Sequence, residues 1–136
     1  MRISGYAVLW SKVFGFVDTI TGLGLIFLPA FTLGLMGLDS ADYSLSLVMF
    51  IGAFVLGVGS LYFMGLLLSR REKSLVALRH VWLATGWVRI CVAIVTGALI
   101  ARGGLDIRWV SVPLTDALVG GVQLSVVLWG RFTCHE

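Results

Sequence analysis

Four long apolar runs constrain the fold of this chain more than any other feature. They comprise roughly residues 13–33, 43–69, 81–101 and 109–130, and the second run contains no charged residue. A helix needs about 20 residues to cross the hydrocarbon core of a membrane, and each run reaches that length. In lipid every backbone amide must be paired within the chain, so runs of this kind form helices. The sequence therefore predicts an all-α integral membrane four-helix bundle.

The composition and the short connections support one transmembrane unit. Of the 136 residues, 59% are hydrophobic and 12% are charged, whereas a soluble domain has roughly 25% charged residues. No connection is long enough to form a soluble domain, so residues 1–136 are predicted to be a single four-helix transmembrane domain. We expect its helices at about 8–33, 43–69, 75–101 and 109–131, with Pro29 ending or kinking the first.

The distribution of basic residues predicts the orientation. With four crossings, both termini lie on one side of the membrane, where seven basic residues collect, against two on the other side. The seven are Arg2, Lys12, Arg70, Arg71, Lys73, Arg79 and Arg131, and the two are Arg102 and Arg108. The positive-inside rule therefore predicts cytoplasmic termini. Tryptophans favour the headgroup level, and Trp10, Trp82 and Trp129 fall at the predicted cytoplasmic interface, while Trp109 falls at the other.

Three charged residues lie inside the predicted helices: Asp18, Arg89 and Asp116. Such residues cost roughly 2.5–3.5 kcal/mol each on insertion scales and normally face the interior of a bundle. Small or polar residues share their helix faces: Gly15, Thr21 and Gly22 beside Asp18, Gly86, Ala93 and Gly97 beside Arg89, and Pro113, Gly120 and Gln123 beside Asp116. Small residues let membrane helices approach closely, so all three charges are predicted to point at neighbouring helices.

The three charges are also predicted to lie at similar depth. At about 1.5 Å rise per residue, Arg89 falls near the middle of a core about 30 Å thick, with one aspartate on either side. A guanidinium has five donors and can bridge two carboxylates. The cluster carries one net negative charge when all three groups ionise, or none if one aspartate retains a proton. It either fixes helix packing or, together with Gln123, lines a pocket for a ligand or a proton.

The sequence shows no motif for catalysis, metal binding or nucleic-acid recognition. The net charge is +3, but the basic residues cluster at the ends of the apolar runs, as membrane topology requires. No residue is assigned a catalytic or metal-binding role, and Cys91 and Cys134 are predicted to be unpaired thiols. No cofactor is evident, and a lipid or a quinone is the candidate ligand. Whether the protein is an enzyme stays open at this stage.

Four segments resemble the small bacterial four-helix membrane proteins called DoxX-like. They are GLGLIFLPAFTLGLMGL at 22–38, FIGAFVLGVGSLYFM at 50–64, GWVRICVAIVTGAL at 86–99 and PLTDALVGGVQLSVVLW at 113–129, with the arginine at Arg89 and the aspartate at Asp116. The resemblance implies a multi-pass protein of the bacterial inner membrane. Some members of that group are membrane subunits associated with quinol or thiosulfate oxidation.

Two functions follow as hypotheses. The first is a non-catalytic accessory or assembly subunit of a membrane complex, or a binder of a lipid- or quinone-like amphiphile. The alternative is a small oligomeric proton-linked transporter in which Asp18 and Asp116 titrate. The lipid bilayer is the expected partner in both, together with a larger membrane complex or further copies of the chain.

The orientation can be tested by thiol labelling in intact cells. A membrane-impermeant reagent should leave Cys134 unlabelled until the cells are opened, because the positive-inside rule places the C-terminus in the cytoplasm. A Ser40→Cys variant, with the new thiol between the first two predicted helices, should react in intact cells and serves as the control. Labelling of Cys134 from outside would contradict the predicted orientation.

Overall fold

The fold is that of a computed structural model, which describes residues 3–129 and the side chains of residues 5–129. Its helices are α1 (Ile3–Phe27), α2 (Pro29–Leu35), α3 (Leu45–Glu72), α4 (Val76–Ala101) and α5 (Ser111–Leu128). Short 3₁₀ turns occur at Ser40–Asp42 and Ile107–Val110, and residues 3–129 contain no strand. Four helices are long and apolar enough to cross a membrane, which confirms the all-α membrane bundle. Arg2, Arg131 and Cys134, which the orientation prediction uses, lie outside the described residues.

The first predicted helix, 8–33, differs from the structure at both ends. Helix α1 already begins at Ile3, because a membrane helix continues past its apolar part into the headgroup region. It ends at Phe27, and Leu28 adopts φ −135° and ψ 54° before Pro29 starts α2. Proline lacks an N–H and its ring clashes with the carbonyl four residues earlier, so the helix breaks there, as the sequence predicts. Leu33 of α2 is fully buried and packs against Leu25 and Val48.

Residues in the left-handed conformation follow three of the helices, and a hydrogen-bonded loop precedes α5. Gly37 (φ 74°) and Gly103 (φ 72°) take the left-handed conformation just beyond α2 and α4, which glycine adopts without steric cost. Lys73 (φ 53°) takes the same conformation at the end of α3, and α4 starts only three residues later. In the loop before α5, hydrogen bonds from Arg108 hold the pKa of Asp106 below its usual value. The predicted fourth helix, 109–131, is a helix over Ser111–Leu128 preceded by a 3₁₀ turn.

The long helices form two closely packed pairs, α1 with α3 and α4 with α5. Glycines make the close approach possible: a Cβ built on Gly22 would lie 2.5 Å from the backbone nitrogen of Leu56. In the other pair, a Cβ on Gly120 would lie 2.9 Å from the carbonyl oxygen of Gly86. Apolar burial does not drive association in lipid, so packing at small residues supplies much of the attraction within each pair.

Polar side chains join the two pairs at both ends of the bundle. At the end that carries the α3–α4 turn, the Trp82 indole donates a hydrogen bond of 2.7 Å to the Ser11 hydroxyl, and the Trp10 ring lies 6.0 Å from that of Trp82. At the opposite end, the Trp109 indole donates a hydrogen bond of 3.0 Å to the Tyr43 hydroxyl. These four aromatic residues thus lie at the two ends that the sequence predicts to be membrane interfaces.

A methyl group added at the α1–α3 contact should separate the pair. We expect Gly22→Ala to lower the free energy of unfolding in detergent by about 1–3 kcal/mol, because backbone atoms of α3 cannot yield to the new Cβ. Gly57→Ala, on α3 but facing open space, is the matched control and should leave stability unchanged or slightly raised. Equal thermal stability of the two variants would contradict the close contact at Gly22.

Candidate functional site

A single guanidinium joins two carboxylates in the middle of the bundle. Arg89 of α4 donates through Nη2 to Oδ2 of Asp18 on α1, and through Nη1 to Oδ1 of Asp116 on α5. Only 7% of Arg89 is exposed, and the two aspartate side chains are 13% and 14% exposed. The structure therefore brings together the three charges singled out in the sequence, and each lies on a different helix.

Glycines on the neighbouring helices allow the three charges to meet. Asp18 packs over Gly59 of α3, where an added Cβ would lie 3.0 Å from the Asp18 Cβ. Arg89 packs over Gly120 of α5, where an added Cβ would lie 3.1 Å from the Arg89 Cβ. Because glycine presents no side chain at these points, the two helix pairs can place long polar side chains between them.

Gln123 occupies a separate position beside the ionic cluster. Its side chain is fully buried, and its Nε2 donates to the Tyr62 hydroxyl at 2.7 Å and to the Thr85 hydroxyl at 3.3 Å. The Tyr62 hydroxyl interacts in turn with the guanidinium of Arg89. Gln123 thus joins α5 to α3 and α4 instead of contacting either aspartate through a hydrogen bond, and Tyr62 links it to the cluster.

Tyr62 and Thr85 belong to this polar centre, although the sequence analysis did not single them out. A tyrosine or a threonine in an apolar helix is usually a packing residue, so neither residue type stands out by itself. The available signal is helical spacing: Tyr62 lies three residues from both Gly59 and Gly65, and Thr85 lies four from Arg89. Such spacing places each residue on the inward face of its helix.

Not every buried polar atom of this centre has a partner. Within residues 3–129, Nε of Arg89 and Oε1 of Gln123 are buried and make no hydrogen bond. A buried donor or acceptor left unpaired costs about 1–3 kcal/mol, so these two atoms offset part of the stability that the polar centre provides.

A cavity of about 530 Å³ reaches from the ionic cluster towards the end of the bundle that carries Tyr43 and Trp109. Its base is formed by Asp18, Arg89 and Asp116. Its walls are mainly apolar residues of α3 and α4, including Leu47, Val48, Phe50, Phe54, Val55, Val58, Val88, Val92 and Leu99. The turn at Lys73 joins α3 and α4 at the opposite end of the bundle. The cavity lies between the halves of these two helices that are farther from this turn.

The cavity opens sideways between α3 and α4. Phe50 is 72% exposed, Leu47 58% and Phe54 53%, and all three line the cavity. In a membrane these exposed side chains face hydrocarbon, so the opening faces the lipid. A molecule in the bilayer can therefore reach the ionic cluster without first crossing water.

Two carboxylates supply hydrogen-bond acceptors at the base of the cavity, and polar side chains also occur along its walls at Tyr43, Ser44, Thr96 and Trp109. Arg89 uses one oxygen of each aspartate, and the other two, Oδ1 of Asp18 and Oδ2 of Asp116, accept no hydrogen bond from residues 3–129. Neither oxygen is among the fully buried unpaired atoms. Within the same part of the chain, no group of three or more His, Cys, Asp or Glu side chains is arranged to hold a metal ion. The site therefore presents hydrogen-bond acceptors at the base of an apolar chamber.

Comparison of the chain with models of protein families, with curated proteins and with solved structures gives no match. The DoxX-like resemblance therefore stays a prediction from the sequence.

Loss of the central guanidinium should destabilise the bundle. We expect Arg89→Leu to lower the free energy of unfolding by about 3–5 kcal/mol, because removing one partner of a buried ion pair leaves an uncompensated charge. Cys91→Ala is the control: Cys91 is on the same helix but exposed, so its replacement should change stability little. Thermal unfolding in detergent measures both variants, and equal melting temperatures would show that Arg89 does not hold the cluster together.

Proposed function

We propose that this protein is a non-catalytic membrane protein that binds an amphiphile, lipid- or quinone-like, between its two helix pairs. The observation that carries the proposal is a lipid-facing cavity of about 530 Å³ with an ionic cluster at its base. Small-molecule sites usually enclose about 300–1,000 Å³, with mostly apolar walls and a few convergent polar groups. The cavity has both properties, and an amphiphile has the matching division into an apolar body and a polar head.

The proposal includes a place for the protein in the cell. The distribution of basic residues supports cytoplasmic termini, and the resemblance to DoxX-like proteins supports the bacterial inner membrane. The short connections between the helices favour a role as an accessory or assembly subunit that delivers or retains its ligand for a larger membrane complex.

The alternative of a proton-linked transporter draws less support from the geometry. Arg89 engages both aspartates at once, so a transport cycle would have to break a buried ion pair at each turnover. The cavity also extends from the cluster towards only one end of the bundle.

Filling the cavity should remove the ligand without unfolding the protein. We expect Val92→Phe to abolish the co-purification of an amphiphile, because Val92 lines the cavity and a phenyl ring would occupy the space. Val95→Phe, one turn away on the lipid-facing side of α4 and outside the cavity, is the matched control and should retain the ligand. Native mass spectrometry of gently solubilised protein measures the bound molecule. The same ligand content in the two variants would contradict binding in this cavity.

The ionic cluster should contribute to retention of the ligand. In Asp18→Asn and Asp116→Asn, asparagine nearly preserves shape but removes a charge. We expect Asp116→Asn to lose the co-purifying molecule while staying folded, because Asp116 lies at the base of the cavity. Melting temperature and bound small molecules are measured together for both variants. If the Asp116→Asn protein folds and keeps the same bound small molecules, the cluster serves helix packing alone.

A further inference from the structure

We infer that the ligand of this cavity carries a positively charged, hydrogen-bond-donating head, such as an alkylammonium group on an apolar body. The inference rests on the proposed function, which supplies the cavity, and adds the chemistry of the head group. It is drawn from the charge balance at the base of the cavity, the direction of its free hydrogen-bonding atoms and the rings along its walls.

The charge balance favours a cation. Among the described residues that line the cavity, two are acidic, Asp18 and Asp116, and Arg89 is the one basic residue. The ionised cluster therefore carries one net negative charge in a region where apolar walls weaken screening. A bound cation neutralises this charge, whereas an anionic head would add a second uncompensated negative charge. If one aspartate holds a proton before binding, an entering neutral amine takes that proton, and the resulting ammonium and carboxylate give the same final balance.

The unpaired carboxylate oxygens favour a head group that donates hydrogen bonds. An ionised carboxylate only accepts hydrogen bonds, and each aspartate has one oxygen that no described residue uses. Arg89 keeps a buried Nε–H and one further N–H on each of Nη1 and Nη2, and the residue lines the cavity. A quinone oxygen can accept from Arg89 but leaves both free carboxylate oxygens unpaired, whereas an ammonium group has N–H donors for both of them.

The aromatic residues along the cavity add a second attraction. The rings of Phe54, Tyr43 and Trp109 line its walls and its outer end. Such rings attract cations through their negative faces, most strongly tryptophan. A cation entering between α3 and α4 therefore meets favourable groups on its way to the carboxylates.

Probes of equal tail length test the head group directly. Dodecylammonium, dodecanol and dodecanoate are added to the full chain in nanodiscs of zwitterionic lipid, with decylubiquinone as a fourth probe, and binding is measured by native mass spectrometry. We expect dodecylammonium to bind about tenfold to a hundredfold tighter than dodecanol, as a charge-assisted hydrogen bond implies. Dodecanoate and decylubiquinone should bind more weakly than dodecylammonium.

Variants that each remove one carboxylate charge show which aspartate produces the preference for dodecylammonium. Asp116→Asn should reduce the preference for dodecylammonium over dodecanol by about tenfold, and Asp18→Asn is a second variant in case the first does not fold. Asp42→Asn removes the same charge from the exposed turn outside the cavity and should keep the full preference. A preference unchanged in both cavity variants would overturn the inference.

The outcomes separate this inference from the proposed function. Equal binding of dodecylammonium and dodecanol, both lost in Val92→Phe, would overturn the cationic head and leave the amphiphile site standing. Tighter binding of decylubiquinone than of dodecylammonium would have the same meaning. Failure of all four probes to bind the parent protein would contradict the proposed function as well.

Discussion

The bridge from Arg89 to Asp18 and Asp116 is the interaction on which the rest of the architecture depends. Within each helix pair, glycines permit backbone contact, and such packing works in lipid without help from the hydrophobic effect. Between the pairs, apolar side chains such as Leu66 and Leu78 pack together, and Arg89 makes the charged contact at mid-depth. Because the surrounding hydrocarbon penalises separation of these charges, the bridge holds the pairs at a set distance and so maintains the cavity beside it.

The parts of this structure that follow from the sequence are those that the membrane itself enforces. Long apolar runs must become helices, and charges at Asp18, Arg89 and Asp116 must turn inward, so both could be predicted from composition and helical spacing. The break before Pro29 was predictable for a steric reason that holds in any surroundings. Each of these depends on a local rule and needs no knowledge of which helices become neighbours.

The parts that could not be predicted depend on the choice of neighbours. Glycine-lined faces occur on all four long helices, so the sequence does not show that α1 packs on α3 and α4 on α5. The hydrogen bonds from Gln123 to Tyr62 and Thr85 depend on that pairing, so they could not be predicted from the sequence. The cavity could not be predicted either, because it lies between parts of α3 and α4 that are distant from their shared turn, and no residue type indicates a space there.

The sideways opening of the cavity determines which part of a ligand can be recognised. An amphiphile's tail is surrounded by hydrocarbon before it enters and by apolar side chains such as Val92 afterwards, so transfer of the tail contributes little free energy. Selectivity then rests on the head group. The bilayer also acts as a reservoir, since a compound enriched about a thousandfold in lipid gains about 4 kcal/mol of apparent affinity without any new contact. A site of modest intrinsic strength can therefore stay occupied while the aqueous concentration of its ligand is very low.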